Sequence, residues 1–212
     1  MPMNYREDRV DRTQLEQILK EELSGQEDSC GRGQWTLDHC LRTARLAVAL
    51  RREIGLPPEL DNLIYTAGLF HDVAHDSTDH ALHGQAGAER TANLLSGLLP
   101  PEFLTKVTDI ITFHDDRRLE DGRGDALHLV QDADLLDHLG TLRIWAEFGY
   151  AAKHGMHMDE ALEKLRHCCR RREFYTSLLH SEPARRELDC RLDFEAAFLK
   201  QAETESRGEL SR

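Results

Sequence analysis

The run NLIYTAGLFHD at residues 62–72 sets apolar side chains at helical spacing and then puts a histidine on the same face. Ile64, Ala67, Gly68, His71 and Ala74 share one stripe, so His71 is aimed at the side that a helix buries. An imidazole buried there without a partner would cost roughly 2–7 kcal/mol. A metal ion would satisfy it. The pattern recurs along the chain: Val107, Ile110 and His114 share one stripe, and Val130, Ala133, Asp134 and Asp137 share another. His39 heads the segment DHCLRTARLAVALRREIG in line with Thr43, Leu46 and Leu50, and His83 opens HGQAGAERTANLLSGLL. Several helices thus each offer one ligand-type side chain from an apolar face, which is how helical bundles build buried metal sites.

The rest of the chain reads as nearly all-helical, with little strand-type alternation and no internal repeat. An amphipathic helix around Thr13–Leu23 precedes a polar loop, Ser24–Gln34. Helices are expected near 36–54, 59–74, 80–98, 101–114, 126–138, 140–153, 158–180 and 184–203. Pro57-Pro58 and Pro100-Pro101 each stand where a new helix begins. At 212 residues the chain fits one domain. The expected division is an N-terminal helix and loop (1–34), a metal-binding core (35–139), C-terminal helices completing the same domain (140–203) and a polar tail (204–212).

Lys and Arg number 27 against 39 Asp and Glu, a formal charge of -12. This balance argues against binding to a nucleic-acid polymer or an anionic membrane. An anionic substrate would then have to be drawn in locally, and bound metal would do so. Cys30, Cys40, Cys168, Cys169 and Cys190 are odd in number and lack paired CxxC spacing, so they read as reduced structural thiols. No signal peptide leads the chain and no apolar stretch is long enough to span a bilayer, which reads as cytoplasmic. The oligomeric state is not legible.

The order H…HD…H…H…D on consecutive helices resembles the HD superfamily of metal-dependent phosphohydrolases. The match runs from about Trp35 to Asp137 through AGLFHDVAHD, HGQAGAE, ITFHDD and LVQDADLLDHLG. From Leu129 through FYTSLLHSEPARRELDCRLDFEAAFLKQAE the chain is similar to the bacterial YpgQ/YedJ-like branch, which is associated with nucleoside-triphosphate pyrophosphohydrolysis. His83-Gly84 and His114 look more like the two-metal branches, such as the HD-GYP phosphodiesterases and YqeK-like dinucleoside polyphosphate hydrolases.

The resemblance implies an all-α helical bundle in which His39, His71, Asp72 and Asp134 hold one ion. His83 and His114 would add ligands for a second, with Asp72 bridging. A mixed imidazole and carboxylate set favours manganese or iron, and admits cobalt, nickel, zinc or magnesium. Close after the doublet, Asp76 or His75 is a candidate to assist the attacking water, with a helix-terminal polar role as the alternative. In the charged loop DDRRLEDGRGD, Arg117 or Arg118 is expected either to reach a substrate phosphate or simply to be solvated. Asp137 is expected to orient a ligand imidazole, and Asp132 to face solvent. Trp145, Phe148 and Tyr150 are core residues or, alternatively, base-stacking ones. The implied partner is a small phosphorylated molecule, a nucleotide. Substrates left open are a triphosphate, a dinucleoside polyphosphate or a monophosphate; a diiron oxygenase and a silent nucleotide-binding module are the readings from other classes.

Overall fold

The computed structural model describes residues 10–27, 34–75, 82–117 and 124–210. It is all-α, with no strand among those residues. In order the helices are α1 (Arg12–Glu22), α2 (Gln34–Ile54), α3 (Asp61–Phe70), α4 (His83–Leu95), α5 (Pro101–Phe113), α6 (Asp125–Asp137), α7 (Thr141–Lys153), α8 (Met158–Arg170), α9 (Arg172–Ser177) and α10 (Glu182–Ser206). Two compact units emerge, residues 1–134 and residues 135–212.

In the first unit α2 packs along α3, α3 against α5, and α4 against α5. Asp11 caps α1 by accepting the N–H groups of Thr13 and Gln14, and Leu15, Leu19 and Leu23 turn the apolar stripe of α1 inward. Burying one such leucine contributes about 1.5–3 kcal/mol. Helix α2 ends where Gly55 takes φ +80°, which lets the Leu56 N–H reach back to the Arg51 carbonyl. Arg51, itself buried, then ties the start of α3 by donating Nε to Asp61 Oδ1 at 2.7 Å and Nη2 to Asp61 Oδ2 at 3.0 Å. That fork fixes the angle at which α3 delivers His71.

Small residues set the helix spacings. A methyl group at Gly68 would stand 3.0 Å from the Ala44 Cα of α2, and one at Gly84 would stand 2.7 Å from the Thr112 carbonyl oxygen of α5. The second contact is with backbone, which cannot rotate away. Gly84→Ala is therefore expected to push α4 off α5 and to destabilise the protein by about 1–3 kcal/mol. Urea unfolding of the variant checks this, and an unchanged midpoint would reject it.

In the second unit α7 packs on α8 and α10, and α10 also holds α8 and α9. Leu162, Leu165 and Leu199 form its core, with Ile144 and Phe148 packed against them. Phe148 is thus a packing residue, while Trp145 is exposed. Glu195, fully buried in α10, accepts the Gly140 N–H at 2.5 Å, and Gly140 precedes α7 with φ +80°. Burial pushes the Cys168 and Cys169 thiols up to about 11, with the Glu195 charge adding to it, so both stay protonated and unreactive at neutral pH. The cysteines among the described residues are free; Cys30 lies outside them. The single helix expected at 158–180 breaks at Arg171, where ψ moves to 19°, and Arg172 of the new segment donates to Asp189 and Asp193 of α10, each at 2.5 Å.

Candidate metal centre

Two of the histidines are held by the same local device. His71 directly follows the last residue of α3 and His114 directly follows the last residue of α5, where helix carbonyls lack helical N–H partners. Each ring folds back on its own helix: His71 Nδ1 lies 2.8 Å from the Gly68 carbonyl oxygen, and His114 Nδ1 lies 2.7 Å from that of Ile111. A carbonyl only accepts, so Nδ1 carries the proton and donates. Whenever such a ring is neutral, Nε2 keeps its lone pair, so the backbone contact selects Nε2 as the nitrogen that could be offered to an ion.

Those nitrogens meet others like themselves. His71 Nε2 lies 3.0 Å from His39 Nε2, and His114 Nε2 lies 3.0 Å from His83 Nε2. Between the pairs sits Asp72. Its Oδ2 is 3.5 Å from His71 Nε2 and 3.6 Å from His39 Nε2, while its Oδ1 is 3.5 Å from His114 Nε2 and 3.7 Å from His83 Nε2. Asp134 Oδ1 closes the first group, 3.3 Å from His39 Nε2 and 3.5 Å from His71 Nε2. All six side chains are buried. The packing thus gathers every predicted ligand, from α2, the ends of α3 and α5, the start of α4, and α6.

The donor set fits a divalent cation. Inward-facing imidazole lone pairs 3.0 Å apart repel unless a proton or a metal lies between them, and two buried carboxylates supply the compensating charge. Neutral nitrogen and carboxylate oxygen together suit a first-row transition ion.

Protons compete for the same donors. Burial opposes charge on His71, yet the Asp72 carboxylate and the hydrogen bond to Asp134 prevail and hold its proton affinity well above the ordinary 6.5. Burial likewise opposes ionisation of Asp72, and the facing His71, His114 and His39 rings override it and hold the carboxyl well below 3.8. In the metal-free protein, Asp72 therefore contributes stability that is lost as pH falls through its lowered value. His71 contributes stability that is lost as pH rises through its raised one. A metal ion held by His71 would need the ring unprotonated, so its binding would release a proton. Affinity for Mn²⁺ is expected to rise with pH above neutrality by up to about tenfold per unit, until the raised value of His71 is passed. Titrations at stepped pH check this, and a flat profile would contradict it.

The remaining predicted residues fall as follows. His75 is half-buried with its ring edge-on to His83, the centroids 5.4 Å apart. Asp76 and Arg118 lie outside the described residues. Arg117 is turned inward: Nη2 donates to Asp134 Oδ2 and Nη1 to the Gln131 carbonyl, both at 2.5 Å. Gln131, a residue that sequence reasoning missed, donates Nε2 to the carbonyls of Phe113 and Asp116. Its only sequence signal is its place in QDAD. Asp137 is buried. Asp132, expected to face solvent, is instead fully buried, because α6 is enclosed on every side from Leu129 to Asp137 and keeps no solvent face there.

The HD domain family model matches residues 36–141, a span that includes all six of these side chains. No curated protein matches the sequence. Among solved structures, Bacillus subtilis YpgQ in complex with ADP is similar at 22% identity, covering 91% of this chain and 96% of that one with a TM-score of 0.66. An HD-superfamily hydrolase from Bacillus thuringiensis is 23% identical, with 94% and 100% covered and a TM-score of 0.70. A predicted HD superfamily hydrolase from an uncultured Thermotogales bacterium is 20% identical, with 91% of each chain covered and a TM-score of 0.63. With half of its length matched by the family model, the chain belongs to the HD domain family of metal-dependent phosphohydrolases.

Proposed function

We propose that this HD-type phosphohydrolase acts on a nucleotide, cleaving a nucleoside triphosphate to the monophosphate and pyrophosphate through a centre of two cations. The observation that carries the reading is Asp72, whose two oxygens face opposite imidazole pairs as a bridging carboxylate would. Divalent ions, when bound, supply Lewis acidity towards phosphoryl oxygens and bring the pKa of a bound water from about 15.7 to near 7.

The chain's own groups supply position. His71 and His114 hold their Nε2 atoms inward through backbone carbonyls, and Asp134 presents one oxygen while Arg117 holds the other. A cleft of about 340 Å³ opens beside His83, lined in part by Gly84, Thr112, Asp115 and Asp116. Two carboxylates on its wall disfavour bare phosphate, so the cations would have to draw the substrate's charge inward. The choice of a nucleotide is supported by the YpgQ structure, which holds ADP. The choice of the triphosphate rests on the resemblance of residues 129–203 to the YpgQ/YedJ-like branch.

A panel of nucleoside tri-, di- and monophosphates and dinucleoside polyphosphates, assayed with Mn²⁺, Fe²⁺, Co²⁺, Ni²⁺ or Mg²⁺, tests the substrate. Pyrophosphate release from triphosphates is expected; release of single phosphates would move the assignment to another nucleotide class. Because water supplies the entering oxygen, the rate is expected to be undiminished without dioxygen, and oxygen-18 water should label the phosphorus-containing product. Turnover that stops anaerobically would transfer the protein to the diiron oxygenases, which use a similar ligand set.

A further inference from the structure

We infer that Arg117 is a positioning residue that makes Asp134 a one-oxygen ligand, and that Gln131 completes the latch. Asp134 has two oxygens with different tasks: Oδ1 stands 3.3 Å from His39 Nε2 and 3.5 Å from His71 Nε2, while Oδ2 accepts from Arg117 Nη2 at 2.5 Å. The other arm of the guanidinium donates to the Gln131 carbonyl, one turn earlier on α6, at 2.5 Å. The planar fork therefore spans a turn of the helix and fixes the rotation of the carboxylate against its own backbone. The Gln131 side chain in turn donates to the carbonyls of Phe113 at 3.1 Å and Asp116 at 2.9 Å. The segment that carries both His114 and Arg117 is thereby tied to the helix that carries Asp134. Arg117 and Asp134 are also largely shielded, with side-chain exposures of 12% and 10%, so water competes little for the pair.

Without the fork, Asp134 is free to rotate, to turn Oδ1 away or to offer both oxygens to one ion. Charge and geometry then act in opposite directions. Deleting a nearby positive charge should by Coulomb attraction tighten a dication's binding, whereas losing the hydrogen bonds that orient a ligand weakens it, commonly by 10- to 100-fold. A weakened affinity therefore reports positioning, which neither charge removal nor a contact with substrate would produce.

The inference rests on reading His39, His71, Asp72 and Asp134 as an ion site, and not on any substrate. The test is a Mn²⁺ titration of the full chain without nucleotide, followed by the free-ion electron paramagnetic resonance signal, with circular dichroism alongside. R117A is expected to raise the Mn²⁺ dissociation constant about 10- to 100-fold at unchanged helicity. R117K keeps the charge but not the planar fork, and is expected to bind Mn²⁺ more weakly than wild type; it decides the matter alone if R117A does not fold. Unchanged or tighter Mn²⁺ binding in R117A, or wild-type binding in R117K, would overturn the inference. So would a KM raised for nucleotide at intact Mn²⁺ affinity, which would return Arg117 to a phosphate-binding role. If wild type binds Mn²⁺ but turns over no nucleotide, the proposed function fails while the Arg117 comparison stands. If hydrolysis is intact and R117A binds Mn²⁺ normally, this inference fails alone.

Discussion

Asp72→Ala is expected to remove both metal retention and hydrolysis while leaving the helices formed. The residue stands just beyond α3, so its loss takes nothing from a helix interior. Instead its two oxygens are the common point of both imidazole pairs, between 3.5 and 3.7 Å from all four Nε2 atoms. Its loss takes a negative charge from the middle of a buried cluster, a change worth about 3–5 kcal/mol where one partner of a buried charge pair is deleted. Expressed as ion affinity, that is roughly two to four orders of magnitude. His71→Ala is expected to lose the metal too, but with added destabilisation, since its fully buried ring leaves a cavity. Elemental analysis beside circular dichroism separates the two variants. Full metal occupancy in purified Asp72→Ala would sink the site.

The second large effect concerns the number of ions. With His83 and His114 as ligands of a second cation, wild type should bind two ions per chain, and His83→Ala or His114→Ala should lower the count towards one. His39, His71, Asp72 and Asp134 would keep the other, because His39, His71 and Asp134 bring their atoms within 3.5 Å of one another without the far imidazole pair. If the pair instead contacts substrate, the same substitutions leave the stoichiometry at one, and raise KM or lower turnover. Metal titration of the three proteins, with anomalous scattering to locate the ions, distinguishes the two. A single fully occupied site in wild type loaded with manganese or iron would defeat the two-cation reading.

Periodicity marks His71 and His114 for burial, and the resemblance in the ordered H…HD…H…H…D pattern adds the other side chains of the set. Ile64, Ala67 and Ala74 are buried beside His71, and Val107 and Ile110 beside His114, as a helical stripe requires. A short-range pattern therefore sufficed to place His71 and His114 on buried helix faces and to give the all-α class, because both depend on which side of a helix a residue occupies. What the far ends of those side chains do depends on neighbours distant in sequence. Asp132 belongs to a helix whose solvent face vanishes only when other helices enclose it. The 3.0 Å approach of His83 to His114 needs α4 close on α5 at Gly84, a spacing set by the Thr112 carbonyl. In the sequence Arg117 is a charge of the loop DDRRLEDGRGD expected to reach a substrate phosphate or to be solvated; only the packed structure turns it onto Asp134, 17 residues away. The chain by itself thus determined that stripes such as those carrying His71 and His114 go inward and what chemistry those residues can bring. Tertiary packing decided which oxygen of Asp72 faces which imidazole pair and which arginine holds Asp134, because such contacts are formed across helices, where no local periodicity reaches.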